Sequence, residues 1–125
     1  MTLLARLDPW LPPLVLMGVI YLFSAQPDLS TGLGTIDLIG RKLVHAAEYA
    51  LLCFLWMRAL STRIRDPRRA LALALAVSIA YAALDEYHQT FVDGRDGSPI
   101  DVVIDTLGAC AAAIAIARRR SARAR

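Results

Sequence analysis

Residues 85–105, DEYHQTFVDGRDGSPIDVVID, crowd Asp85, Glu86, His88, Gln89, Arg95, Asp101 and Asp105 against two apolar runs, ALALALAVSIAYAAL at 70–84 and IDVVIDTLGACAAAIAIA at 100–117. Ionisable groups beside or inside a bilayer are expensive, so a function is the default expectation for them. Three roles are open: a catalytic site, a recognition site, or the polar glue of a small helical bundle.

The 125 residues are 57% hydrophobic with a mean hydropathy of +0.48. This exceeds the roughly 45–50% apolar content of soluble chains, so the composition points to one membrane domain over 1–125. Cys53 and Cys110 lie in apolar runs and form neither a disulfide framework nor a metal spacing. The formal charge is +3. Its arginines flank apolar segments without interleaved aromatics, which argues against nucleic acid as a partner.

Two further apolar runs, at about 10–25 and 43–60, bring the expected spans to four, each of helical length and without strand alternation. The fold expected is all-α, a four-helix transmembrane bundle. At 15 to 18 residues these runs fall slightly short of the ~20 a bilayer needs, so polar helix ends should extend into the interface. Phe23 stands where signal cleavage would want a small residue, so the first span is expected to be retained.

Eleven of the fourteen basic residues precede the first span, surround the connection after the second, or follow the fourth; only Arg41, Lys42 and Arg95 lie opposite. The positive-inside bias then gives N-in, C-in, with residues 118–125 as a solvated cytoplasmic tail contacting anionic lipid. Nine of the eleven acidic residues fall on the outer side. Acidic charge hardly directs topology, so this accumulation calls for cation binding, internal pairing or catalysis.

At 100° per residue, Lys42, His45 and Tyr49 fall within about 60° of one another, and Glu48 widens the arc to about 120°. Asp85, His88 and Gln89 share a face of about 100°, with Glu86 turned farther away. Asp101 and Asp105 align with Gly108 and Ala112 above a small-residue groove suited to close helix approach. In the topology above, all three stripes meet at the outer end. Between them, Asp93-Gly94 and Asp96-Gly97 carry turn chemistry, Ser98 is a candidate N-cap and Pro99 suits a helix start. Arg95 is placed to bend back over the cluster and take a carboxylate or phosphate bidentately.

The pattern K-x2-H-x2-E-Y-x2-L at Lys42, His45, Glu48, Tyr49 and Leu52 resembles the first motif of the VanZ-like family of small membrane proteins. D-E-x2-Q-x-F-x2-G-R at Asp85, Glu86, Gln89, Phe91, Gly94 and Arg95 resembles the second, and Asp101 with Gly108 the third, so the likeness covers about 41–112. Phe23-Ser24 is similar more weakly. Two positions depart: Asp105 stands where the family usually has Asn, and Ala112 where it commonly has Gly. A second carboxylate beside Asp101 invites a cation or Arg95. The resemblance implies a bacterial cytoplasmic-membrane protein with a cell-envelope role and a possible link to glycopeptide (teicoplanin) tolerance.

The functional expectation is a polar site at the outer interface that binds or modifies a cell-envelope amphiphile, with membrane lipids and a lipid-linked precursor or glycopeptide as partners. Lys42, Glu48, Tyr49, Gln89, Arg95, Asp101 and Asp105 are the ligand-binding candidates. In an enzymatic version, a hydrolase or transferase acting on a lipid-linked substrate, His45 with Asp85 or Glu86 supplies general acid and base. Lys42 and Arg95 then stabilise oxyanion charge. No Ser or Cys has a nucleophile's partners at recognisable spacing, which leaves direct attack by water. Neither a metal nor another cofactor is expected, because Lys42 and Arg95 compete for the available N and O ligands. The alternative is a non-catalytic scaffold whose buried charges hold the bundle and whose outer loops recruit a protein.

Overall fold

The computed structural model describes residues 2–24, 34–92 and 97–125. They form five helices and, among the described residues, no strand: α1 Leu3–Leu7, α2 Leu11–Ser24, α3 Thr35–Leu60, α4 Pro67–Gln89 and α5 Pro99–Arg123. The helix starts follow local chemistry. Asp66 caps α4 by accepting from Arg68 N, and Ser98 caps α5 by accepting from Ile100 N, each followed by a proline whose missing N–H costs nothing in a first turn.

Three helices, α3, α4 and α5, are long and apolar enough to cross a membrane. Among the described residues the fourth apolar helix is shorter. α2 has 14 residues, about 21 Å at 1.5 Å per residue, against a hydrocarbon core of about 30 Å. The long helices instead exceed their apolar runs: α3 begins eight residues before residue 43, and α4 continues to Gln89. Polar residues such as Asp37, Arg41 and Lys42 are compatible with a helix, so the apolar run marks only part of its length. The arginine-rich tail likewise continues α5 to Arg123, where Arg120 and Arg123 complement the negative end of the helix dipole.

α3 is central, packing most extensively on α5, then α4, with α2 laid against α3 and α4. Ile20 of α2 and Tyr49, Leu52 and Met57 of α3 are buried in the centre, but the rest of the side-chain distribution departs from that of a soluble bundle. Leu14, Leu22, Phe23, Leu43, Val44, Phe54, Leu84 and Leu107 point outward, whereas the interior of α4 and α5 is built from Ala70, Ala74, Ser78, Ala82, Gly108, Ala109 and Ala113. Lipid is as apolar as leucine, so a large apolar group gains little transfer energy by turning inward. Small residues do gain there, by letting backbones approach.

That approach is tightest where Gly108 of α5 meets Ala46 of α3. A Cβ added at Gly108 would run into the Ala46 carbonyl, carbon and Cα. Two pairs tie the turn that leads into α2 to the end of α3: Arg58 donates to Asp8 at 2.7 Å, and Trp10 stands edge-on to Trp56 with ring centroids 6.4 Å apart. Tyr81 of α4 donates to the Met17 carbonyl of α2 at 2.5 Å.

Gly108→Ala is expected to destabilise the bundle by about 1–3 kcal/mol through overpacking, read as a lower thermal midpoint of the detergent-solubilised protein. Gly40→Ala, whose new Cβ meets nothing within 4 Å, should hold or raise the midpoint.

Candidate functional site

Four helix ends meet on the side of the bundle away from the Trp10–Trp56 pair. α2 contributes Ser24, α3 Lys42, His45, Glu48 and Tyr49, α4 Asp85, Glu86 and Gln89, and α5 Asp101 and Asp105. Three carboxylates are withdrawn almost completely from the surface: Asp105 is 1% exposed, Asp85 4% and Glu86 5%. Tyr49 and Ser24 are buried with them.

Each carboxylate is held differently. Ser24 Oγ donates to Asp85 Oδ2 at 2.8 Å, and Gln89 Nε2 lies at the long limit of hydrogen bonding from both, 3.4 Å from Ser24 Oγ and 3.5 Å from Asp85 Oδ2. Glu86 Oε2 accepts from the Ser98 backbone N–H at 3.1 Å, just before α5 begins. That contact requires the chain to graze α4 at Gly97, where a Cβ would stand 2.6 Å from the Glu86 carbonyl oxygen and 2.5 Å from Thr90 Cγ2. Only a residue without a side chain fits there. Lys42 Nζ donates to Asp101 Oδ1 at 2.5 Å, tying α3 to α5 at a half-buried pair. His45 Nδ1 stands 3.9 Å from Glu48 and 3.8 Å from Asp105.

Several buried polar atoms are left without a hydrogen bond among the described residues: both oxygens of Asp105, Asp85 Oδ1 and the Tyr49 hydroxyl. An unsatisfied buried acceptor costs about 1–3 kcal/mol, and more when charged, so such atoms call for an explanation. Lys42 is committed to Asp101, leaving the neighbourhood of Asp85 and Asp105 rich in acceptors. Its chemistry suits a molecule that brings O–H or N–H groups. Among the described residues, no three His, Cys, Asp or Glu side chains are arranged to hold a metal ion.

Nine of the ten residues singled out from sequence come together at this end: Lys42, His45, Glu48, Tyr49, Asp85, Glu86, Gln89, Asp101 and Asp105. Arg95 lies outside the described residues. The angular reading of α4 set Glu86 away from Asp85 and Gln89. The structure buries all three, because Asp85 and Gln89 meet α2 while Glu86 meets the chain entering α5. His45, paired in the sequence reading with Asp85 or Glu86, also stands within 4 Å of Asp105 and Glu48. His88 leans on Tyr21, ring centroids 4.7 Å apart.

Ser24 was not among the candidates, yet it supplies the shortest bond to Asp85. The available signal was a hydroxyl ending an otherwise apolar run, together with the weak Phe23-Ser24 likeness. Gly97 was read only as a turn residue, and its role in admitting the Ser98–Glu86 bond depends on a tertiary approach.

No curated protein and no solved structure matches the chain. A family model does, over residues 7–120, adding α2 and nearly all of α5 to the motif-bearing middle. With that match spanning nearly the whole sequence and the motif residues gathered at one end of the bundle, the chain belongs to the VanZ/LLP1 family.

Proposed function

We propose that the carboxylate-rich end of the bundle binds the polar headgroup of a cell-envelope amphiphile at the outer interface of the bacterial cytoplasmic membrane. The observation that carries this reading is Asp105, 1% exposed with neither oxygen hydrogen-bonded among the described residues, beside the unpaired Tyr49 hydroxyl. A purely structural network gains stability by satisfying its members; a receiving site keeps acceptors in reserve. A lipid-linked sugar or peptide headgroup supplies O–H and N–H donors for them. Holding such a precursor would alter what a glycopeptide can reach, and teicoplanin tolerance follows from that. The outward placement rests on the arginine bias: the opposite end carries Arg6, Arg58, Arg63, Arg65, Arg68 and Arg69 and the tail.

The scaffold reading has its own support in the Ser24–Asp85 and Lys42–Asp101 ties, which join α2 to α4 and α3 to α5. The two readings diverge at Asp105. For a binding site, Asp105→Asn removes a buried carboxylate that accepts no hydrogen bond among the described residues and should raise the thermal midpoint, by roughly 1–3 kcal/mol of stability. The same variant should weaken capture of a fluorescent polyprenyl-linked sugar–peptide in micelles. A scaffold loses stability with the charge, and that result would sink the binding proposal.

Gly97→Ala is expected to displace Ser98 from Glu86 and weaken the same capture, while Lys42→Ala, breaking a half-exposed pair, costs about 0.2–1 kcal/mol of stability. Orientation is checked by labelling. In a background with Cys53 and Cys110 replaced by serine, an impermeant maleimide should modify Thr90→Cys in intact cells and Ser121→Cys only after permeabilisation. The reverse pattern would invert the topology.

A further inference from the structure

At the opposite end, α1, the turn after it, the end of α3 and the turn that follows α3 enclose a cleft of about 710 Å³, within the roughly 300–1,000 Å³ of small-molecule sites. Arg6, Asp8 and Trp10 line one side, Arg58, Thr62 and Arg63 the other. The two sides are joined by the 2.7 Å Arg58–Asp8 bond, which consumes the cleft's carboxylate. Among the described residues neither Arg6 nor Arg63 has an acidic partner, so two guanidinium groups face the space uncompensated. The nearby Asp66 is occupied in capping α4 and lies 3.6 Å from Arg69.

The geometry points to a binding site here for the phosphodiester of an anionic phospholipid, gripped by Arg6 and Arg63. Guanidinium forks match phosphate oxygens, and two unpaired ones across a walled cleft make a clamp, where scattered arginines make only a field. Two observations favour a lipid's phosphate over a free one. On α1, Arg6 and Asp8 line the cleft while Leu3, Leu4 and Leu7 point elsewhere, 72%, 80% and 46% exposed, the amphipathic arrangement of a segment lying at the headgroup boundary. Trp10 and its edge-on neighbour Trp56 are residues that favour the same level. The cleft thus opens where acyl chains can run along the leucines while the phosphate enters between the arginines.

Of the chain's two tryptophans, Trp10 lines this cleft and Trp56 stands edge-on behind it, so their emission reports on its occupancy. Titrating the full-length, detergent-solubilised protein with short-chain phosphatidylglycerol should shift tryptophan emission saturably, and phosphatidylcholine should not. The double variant Arg6→Gln/Arg63→Gln should bind about twenty-five-fold more weakly, roughly five-fold for each arginine, with unchanged helicity by circular dichroism because both side chains are exposed. Arg6→Lys/Arg63→Lys should recover most of the affinity. Arg119→Gln/Arg120→Gln, which removes equal charge from the helical tail, should change nothing. Equal weakening by the tail variant would reduce the effect to general charge attraction, and equal binding of phosphatidylcholine would remove the anion requirement; either overturns the proposal. Inorganic phosphate reproducing the shift at comparable concentration would assign the cleft to the free ion and overturn the lipid assignment.

Discussion

The contact on which the rest depends is the passage of Gly108 against the backbone of Ala46. Helices in a bilayer cannot be driven together by apolar burial, because the lipid rewards an outward leucine as well as an inward one. What remains is close packing and polar bonding, and both need short separations. By omitting a side chain at Gly108 and placing alanine at 109 and 113, α5 comes near enough to α3 for Lys42 to reach Asp101 and for His45 to stand beside Asp105. The polar end is therefore a product of the seam below it.

At that end, stability and availability compete. Ser24–Asp85 and Lys42–Asp101 spend polar groups on joining helices, while Asp105, Asp85 Oδ1 and the Tyr49 hydroxyl remain unspent. A folded state that leaves buried acceptors open is less stable than it could be, and such deficits collect where a molecule must be received. The departure at position 105 is suggestive here. An amide brings its own donors to a buried position, whereas the carboxylate of Asp105 brings none when ionised.

Much of this was legible in the sequence because helical geometry is regular. The 100° step placed Lys42, His45 and Tyr49 on one stripe and Asp101, Asp105 and Gly108 on another, and the structure faces those stripes toward each other. Ser98 and Pro99 announced the start of α5 from local chemistry alone. What could not be read depends on partners distant in the chain. Ser24 acquires meaning only when α2 meets α4, 61 residues away. Glu86 looked misdirected on a wheel that knew one neighbour, because the chain entering α5 covers a second face of α4. Helix limits were legible only in kind: the short apolar runs called for polar extensions, but hydropathy reports what sits in hydrocarbon, not where hydrogen-bonded turns stop, so how far α3 and α5 outrun their runs could not be read.

A seam made of alanine and glycine has an unusual consequence for mutational mapping. In a soluble core, trimming side chains to alanine exposes the residues that matter, because large groups are what the fold would miss. Along α4 and α5 the inward positions are already Ala70, Ala74, Ala82, Ala109 and Ala113. An alanine scan would register Ile20, Leu52 and Met57 on α2 and α3 but pass over the α4 and α5 side of the helix contacts as silent. The complementary scan, enlarging one inward position at a time, is the one that would trace the architecture, and tolerance to enlargement would fall as the two backbones converge on Gly108.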